Sequence, residues 1–295
     1  MVTPLHGRDA LDVAGLERLV EHILGGGVHG LFILGTSGEA PNLSYALRRE
    51  LIDRVCRQVR GRVPVLVGIS DTSFVEAVGL ARYAAKAGAQ ALVTTPPYYF
   101  PVGQPELVDF VERLVGELPL PLFLYNMPQM TKLQYEPETL RRLAGLKGIA
   151  GVKDSSGDLA YFDQVVAVAK ARPDWSVLMG PEHLILPSMK RGGQGGVCGG
   201  ANVWPELFVK LFNAVSGGRM DDASRLQDQL VQFGGVYRVG QHASAVIKGI
   251  KCSLSILGIC DDLMTEPFTR FREPERARVR AVLEKAGLVS GATSA

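Results

Sequence analysis

The longest apolar runs of the sequence are well short of a membrane span, and its N-terminus lacks a charged segment followed by an apolar one. These absences argue against a transmembrane helix and a secretory signal peptide. The 32 basic and 30 acidic side chains leave a formal net charge of only +2, so no charge excess favours nucleic acid or an anionic membrane as a partner. We therefore expect a cytoplasmic protein without either partner.

Cysteine is rare, and no CxxC motif or Cys/His pair indicates zinc. Reduced thiols are expected instead, as is usual in the cytoplasm. No histidine lies near Cys198 in the sequence, which favours a small buried residue over a nucleophile. His22 and His29 have no accompanying carboxylate motif. The sequence thus predicts neither a metal site nor another cofactor.

Apolar residues are abundant, at 46% of the 295 residues, and they occur in short runs separated by helical patterns. The runs show no period-two alternation, which is typical of parallel strands covered on both faces. Eight such runs favour an α/β fold of the (β/α)8 TIM-barrel class over an open sheet. The eight predicted strands lie around Val2-Thr3, at 31–34, 63–69, 91–94, 122–125, 149–153 and 176–179, and in the glycine-rich segment around Val197.

The β signals fade beyond about Gly217, where apolar residues recur at helical spacing in about three stretches. No linker separates these stretches from the preceding part. We therefore predict a barrel that carries the active site over residues 1–216, and a C-terminal helical extension over 217–295 packed against it. The small polar tail at 290–295 is expected to fray.

In a barrel of this class the C-terminal ends of the strands form the active face. Polar side chains collect at these ends, so the sequence predicts a single pocket that contains them. They are Thr36 and Ser37 after the second strand, Tyr98 and Tyr99 after the fourth, Tyr125 and Asn126 at the fifth, Lys153 and Ser155 at the sixth, and Glu182 and His183 after the seventh.

Lys153 ends a predicted buried strand, where burial disfavours an ammonium ion. A neutral amine there can attack a ketone and form a Schiff base, and the iminium then accepts electrons when the neighbouring C–C bond breaks. A lone lysine at a strand end would more often extend its charge into solvent. The glycine turn at Thr36 and Ser37 suits a substrate carboxylate, and a phenol near the imine can carry protons.

Four ordered segments support the imine interpretation: Gly35-Thr36-Ser37-Gly38-Glu39, Tyr98-Tyr99, Leu124-Tyr125-Asn126-Met127-Pro128 and Gly151-Val152-Lys153-Asp154. In sequence and in spacing they resemble the dihydrodipicolinate synthase/N-acetylneuraminate lyase family of class I, Schiff-base-forming, pyruvate-dependent aldolases. The resemblance covers nearly the whole chain, including its helical C-terminal part. The chain begins at Met1-Val2-Thr3-Pro4, about where related chains are halfway through their first strand, and both a complete start and a truncated or misassigned one fit this.

The resemblance implies a role for each matching residue. Lys153 forms the Schiff base with pyruvate or another 2-oxo acid, and Tyr125 carries protons near the imine. Thr36 and Ser37 bind the carboxylate, and Thr36 also relays protons to Tyr125. Tyr99 reaches across a dimer interface into the neighbouring site, which implies a homotetramer built as a dimer of dimers. Further positions line the pyruvate pocket or differ with substrate: Gly180, Val197, Ser155, Glu182 and His183.

Two positions depart from the family's pattern. Synthases that condense pyruvate with aspartate semialdehyde carry an arginine at the position of Met130. A neutral side chain cannot pair with the aldehyde's carboxylate, so lysine synthesis is disfavoured unless Lys132 or another cation substitutes. Neuraminate lyases have two acidic residues where this chain has Glu182 and His183, which points away from a sialic acid.

We hypothesise a metal-independent class I aldolase, a lyase that cleaves or forms a 4-hydroxy-2-oxo acid with pyruvate as product or substrate. A dehydratase (hydro-lyase) acting on a 2-keto-3-deoxy sugar acid would use the same imine, with Ser155 or His183 assisting loss of a hydroxyl. Dihydrodipicolinate synthase is a third hypothesis despite Met130. The set of Thr36, Tyr99, Tyr125 and Lys153 disfavours a barrel that binds a 2-oxo acid without turnover.

Overall fold

The computed structural model describes residues 1–100 and 102–290 of the chain. Of the tail predicted to fray, residues 291–295 lie outside this part. The chain forms two compact units, of which one contains Met1–His29, Ile33–Val59 and the residues from Gly199 onward. The other contains Gly30–Phe32 and Arg60–Cys198. The division at residues 216 and 217 stays a prediction.

The N-terminus differs from the prediction, because no regular strand forms at Val2-Thr3. Instead, β1 (Leu5–Gly7) and β2 (Ala10–Leu11) pair as an antiparallel hairpin. Val2-Thr3 is buried, and the Thr3 hydroxyl donates to the carbonyl of Gly38 at 2.8 Å. Pro4 follows and has no N–H for a sheet ladder. The apolar pattern here therefore marks burial and not a strand.

A six-stranded sheet has its strands in the order of the chain. They are β3 (Leu31–Ile33), β4 (Val65–Gly68), β5 (Ala91–Thr94), β6 (Leu122–Asn126), β7 (Ile149–Asp154) and β8 (Ser176–Met179). The pairs from β4 to β8 are parallel, as the apolar runs predict. The predicted eighth strand is reduced to a single parallel bridge between Met179 and Gly196.

Helices alternate with these strands, as predicted, and continue through the C-terminal part. They are α1 (Val13–Gly25), α2 (Tyr45–Val59), α3 (Phe74–Ala87), α4 (Gln104–Glu117), α5 (Pro128–Thr131), α6 (Pro137–Leu143), α7 (Leu159–Ala169), α8 (Ile185–Lys190), α9 (Pro205–Ser216), α10 (Met220–Phe233), α11 (Ala245–Ile256) and α12 (Glu273–Lys285). The one-turn helix α5 was not predicted, because four residues are too few to show a helical period.

The C-terminal helices pack by their apolar faces, as expected for an amphipathic helix. Helix α10 packs against α9, and α11 packs against α12. Val279 and Leu283 of α12 and Ile250 and Leu254 of α11 are fully buried. Among the described residues, no helix has both the length and the apolar character needed to cross a membrane.

Candidate active site

Lys153 lies near the C-terminal end of β7 and is only 8% exposed. The sheet register places it beside Tyr125 of β6. Its Nζ lies 4.0 Å from the centroid of the Tyr125 ring and 5.0 Å from that of Phe32. The two rings meet edge to face at 6.3 Å between centroids. The amine is thus shielded from water while a phenol lies within reach, which suits a nucleophilic lysine.

Tyr125 is buried, and its hydroxyl accepts a long hydrogen bond of 3.5 Å from the hydroxyl of Ser155. The Ser155 N–H donates to the carbonyl of Asn126 at 2.8 Å, and the Gly180 N–H donates to that of Asp154 at 2.7 Å. A Cβ at position 180 would lie 1.9 Å from Ser155 Oγ. Glycine at this position therefore leaves room for the serine hydroxyl beside the phenol.

Asp154 follows Lys153 on the strand, so its side chain points to the opposite face of the sheet. Its carboxylate accepts hydrogen bonds from Asn126 Nδ2 at 2.8 Å and from the N–H and hydroxyl of Ser156 at 3.1 and 2.9 Å. Burial raises the pKa of the Asp154 carboxyl, and the hydrogen bonds from Asn126 and Ser156 oppose this rise. The network ties the end of β6 to the end of β7.

Val197 and Cys198 lie beyond the end of β8. The Val197 N–H donates to the last carbonyl of that strand at 2.8 Å, and the Cys198 thiol contacts the carbonyl of Gly180 at 3.4 Å. Burial raises the pKa of the Cys198 thiol well above its ordinary value, Glu182 adds to the rise, and Lys153 opposes it. The charge of Lys153 therefore acts on the Cys198 thiol. Cys198 was not among the site residues predicted from the sequence.

The predicted carboxylate turn belongs to the other compact unit. The Gly38 N–H donates to the carbonyl of Gly35 at 3.0 Å, and the Glu39 N–H donates to that of Thr36 at 3.1 Å. Thr36 and Ser37 are half-buried at the tip of this turn. The turn has the tight geometry predicted for it, and its place in the same site as the lysine stays a prediction.

The remaining predicted residues lie on segments that follow strand ends. Glu182, which is half-buried, and His183, which is exposed, lie on a short 3₁₀ segment after β8. Met130 is 45% exposed on α5. Tyr99 is 76% exposed and meets the ring of Phe100 edge to face at 5.1 Å. These positions are accessible to a substrate or to another protein surface.

Among the predicted residues, the contacts within the second unit join Lys153, Tyr125, Ser155 and Gly180. Phe32 was not predicted as a member of this group. Strand alternation offered a signal, because Phe32 faces the side opposite to its buried neighbours Leu31 and Ile33. The identity of its partner, however, depends on how the strands are ordered in the sheet.

Comparison with known proteins supports the resemblance. The model of the Dihydrodipicolinate synthetase family matches residues 1–286. The dihydrodipicolinate synthase structure from Bacteroides thetaiotaomicron is 51% identical, with a TM-score of 0.93 over 97% of this chain and 96% of that one. A probable 2-dehydro-3-deoxy-D-pentonate aldolase of Escherichia coli K12, YjhH, is 31% identical over 96% of this chain and 94% of its own length.

A further solved structure is the E. coli K12 prophage protein YagE in complex with pyruvate, at 27% identity. Its TM-score is 0.92, over 98% of this chain and 97% of that one. The family match spans nearly the whole chain, and both solved structures superpose on nearly all of the sheet and helices described above. The chain therefore has the TIM-barrel fold with C-terminal helices and belongs to the Dihydrodipicolinate synthetase family of lyases.

Proposed function

We propose that the chain is a Schiff-base aldolase that cleaves or forms a 4-hydroxy-2-oxo acid, with pyruvate as product or substrate. The observation that carries the proposal is the buried Lys153 Nζ, 4.0 Å from the Tyr125 ring, whose hydroxyl has Ser155 as its partner. An amine beside a hydrogen-bonded phenol is the arrangement that imine chemistry needs. The E. coli aldolase relative and the pyruvate-bound E. coli structure support this proposal.

In the first step, Lys153 Nζ attacks C2 of the 2-oxo acid and forms a carbinolamine. Tyr125 donates a proton to the departing hydroxyl, water leaves, and an iminium remains on the lysine. Thr36 and Ser37 bind the substrate carboxylate through hydroxyl and backbone N–H groups. This role for the two residues follows from the family resemblance, and the tight turn that carries them is compatible with it.

In the second step, the Tyr125 phenolate accepts the proton of the 4-hydroxyl group. The C3–C4 bond breaks, its electron pair moves into the iminium to give an enamine, and the aldehyde leaves. Protonation of C3 and hydrolysis by water then release pyruvate and restore the amine. The same steps in reverse condense pyruvate with an aldehyde.

Met130 argues for an aldehyde without a carboxylate at this position, and hence against the synthase reaction. The cation nearest in sequence is Lys132, whose Nζ donates to the backbone carbonyl of Gln129 at 2.9 Å. The synthase name of the B. thetaiotaomicron structure favours the alternative. A 2-keto-3-deoxy sugar acid dehydratase would use the same Lys153 imine.

The exposed Tyr99–Phe100 ring pair supports a further part of the proposal. Large aromatic surface of this kind is enriched at protein interfaces. We propose a cytoplasmic homo-oligomer, a dimer of dimers, in which Tyr99 enters the neighbouring site. Light scattering of the purified protein tests the assembly, and a monomeric mass would contradict it.

Borohydride reduction in the presence of pyruvate tests the imine. We expect an N-(1-carboxyethyl) adduct on Lys153, located by mass spectrometry of its peptide. Lys153→Met should lose the adduct while keeping the circular dichroism of the native protein, because methionine fills the buried volume without a charge. Lys132→Met, at an exposed lysine of the same protein, should keep it. A native protein without an adduct on Lys153 would refute the proposal.

Product analysis then separates the reactions. An aldolase releases pyruvate from a 4-hydroxy-2-oxo acid, which lactate dehydrogenase detects. A dehydratase keeps all the carbons of its substrate and releases no pyruvate. Consumption of aspartate semialdehyde with pyruvate would favour the synthase despite Met130.

A further inference from the structure

Two residues in the left-handed backbone region flank the Gly35–Gly38 turn: Leu34 and Glu39, each with φ of +56°. Residues with a side chain rarely adopt this conformation, and it persists only where surrounding contacts impose it. At Gly38 an added Cβ would lie 3.1 Å from the carbonyl oxygen of Met1. The turn therefore has a shape that its local sequence does not favour, and other contacts must maintain it.

Glu39 supplies the most extensive of these contacts. Its Oε1 lies 2.5 Å from Lys251 Nζ, and both side chains are fully buried. Its Oε2 accepts hydrogen bonds from the N–H of Thr265 at 2.8 Å and from the hydroxyl of Thr265 at 2.7 Å. The carboxylate directly after the turn is thus held from three directions by residues more than two hundred positions later in the chain.

Lys251 is fixed on its own side. It lies on α11, in the helical C-terminal part, and its Nζ also donates to the carbonyl of Leu263 at 2.6 Å. On the other side of the turn, the buried Thr3 hydroxyl donates to the carbonyl of Gly38. The last peptide of the turn joins Gly38 to Glu39. Thr3 holds it at the Gly38 carbonyl, and Lys251 and Thr265 hold it through the Glu39 carboxylate.

A buried ion pair of this kind needs a reason other than stability. Desolvation of two charges offsets most of their attraction, so an apolar pair of similar volume is often as stable. What the charged pair provides is geometry, because each group must occupy one position to satisfy the other. Here that geometry determines the position of Glu39 and, through its backbone, of the preceding Thr36 and Ser37.

We propose that the Glu39–Lys251 pair positions the carboxylate-binding turn, so that the C-terminal helices contribute to substrate affinity without touching substrate. The inference rests on the proposed function, in which the turn binds the carboxylate of pyruvate. Glu39 and Lys251 are positioning residues that act through Thr36 and Ser37. Their loss weakens pyruvate binding more than it affects the chemistry at the bound imine.

The test uses borohydride trapping of pyruvate on the full-length protein, with adduct yield measured against pyruvate concentration. Glu39→Gln and Lys251→Met should each raise the half-saturating concentration about tenfold, with little change in the yield at saturation. The double variant leaves no unpaired buried charge and should be more stable than either single one. Its half-saturating concentration should nevertheless stay about tenfold above that of the native protein, because both changes disrupt one contact.

Leu254→Ala is the matched control, since Leu254 is fully buried on the same helix and its apolar side chain has no charge or hydrogen-bonding group to offer Glu39. It should lower the thermal midpoint while leaving the half-saturating concentration unchanged. An equal rise in Leu254→Ala, or native affinity in the double variant, would overturn the inference, because the pair would then serve stability alone.

If the charge variants fail to fold, Thr265→Val removes the hydroxyl that donates to Glu39 and accepts from Asn42 Nδ2 at 3.2 Å, and it keeps the ion pair. It should raise the half-saturating concentration about threefold, and unchanged affinity would overturn the inference. The experiment distinguishes failure of the proposed function from failure of the positioning role. Failure of the native protein to trap pyruvate refutes the proposed function, whereas native trapping with unaffected variants refutes the positioning role alone.

Discussion

Gly180→Ala tests whether the hydroxyl of Ser155 assists Tyr125 in the proton transfer that we propose for it. The new Cβ would lie 1.9 Å from Ser155 Oγ, 3.0 Å from Ser155 Cβ and 3.2 Å from the carbonyl oxygen of Asp154. The first distance is impossible for two heavy atoms, and the hydroxyl can avoid it by rotating about χ1. The substitution therefore turns the Ser155 hydroxyl away from the Tyr125 phenol. The backbone around position 180 needs to shift by only a few tenths of an ångström.

The expected magnitude follows from the bond that is lost. The hydroxyls of Ser155 and Tyr125 are 3.5 Å apart, which is long for an O–H···O hydrogen bond. Because the bond is long, we assign it the lower half of the usual range, about 0.5–1 kcal/mol. We do not assign it less, since catalytic hydrogen bonds often tighten when substrate binds. This corresponds to a rate loss of about two- to fivefold in a proton transfer through Tyr125.

Exchange of the pyruvate methyl protons with deuterium, followed by NMR, measures this transfer without the unidentified aldehyde. Gly180→Ala and Ser155→Ala should slow exchange by similar factors, with Lys153→Met giving the uncatalysed background. Because both changes remove one hydrogen bond, the double variant should be no slower than Gly180→Ala alone. Factors that multiply in the double variant, or native exchange in Ser155→Ala, would refute the role of the hydroxyl.

Two predictions concern titrating groups. Burial raises the pKa of the Cys198 thiol, so its alkylation by iodoacetamide should be slow at pH 7 and still rising at about pH 9.5; a plateau near pH 8.5, seen by peptide mass spectrometry, would contradict this. Burial also raises the pKa of the Asp154 carboxyl, so the folded protein binds this proton more tightly than the unfolded chain. The stabilisation is present below the ordinary pKa of about 4 and is lost as pH rises through the raised pKa. Denaturant unfolding should therefore show the native protein losing stability relative to Asp154→Asn as pH rises above about 4, and a pH-independent difference would exclude the effect.

The central strands were predictable because a parallel strand buried on both faces is apolar at every position. The apolar run at 91–94 coincides with β5, and the run at 122–125 ends one residue before β6 does. Once these strands are located, polar residues at their C-terminal ends identify one edge of the sheet. That is why Lys153 and Tyr125 could be singled out before their register was known.

Contacts between distant parts of the chain could not be predicted in the same way. Glu39 meets Lys251 and Thr265 only because of how the C-terminal helices pack, and no periodicity encodes that packing. The first strand, counted around Val2-Thr3 to complete eight, was wrong in place, since β1 begins only at Leu5. A buried backbone also finds partners outside a ladder, as Val2 does by donating to the side chain of Asn202 at 2.9 Å.

The reaction class and the substrate depend on different parts of this site. Lys153 and Tyr125 are buried on adjacent strands, and the Asp154 network ties those strands together, so changes there would disturb the imine that we propose. Met130 and His183 are exposed on short helical segments after strand ends, where substitution leaves the strand contacts intact. A family can therefore keep one chemistry while its members act on different aldehydes. We therefore expect the family match to constrain the proposed imine chemistry more tightly than the aldehyde, and we propose that the surroundings of Met130 select the aldehyde.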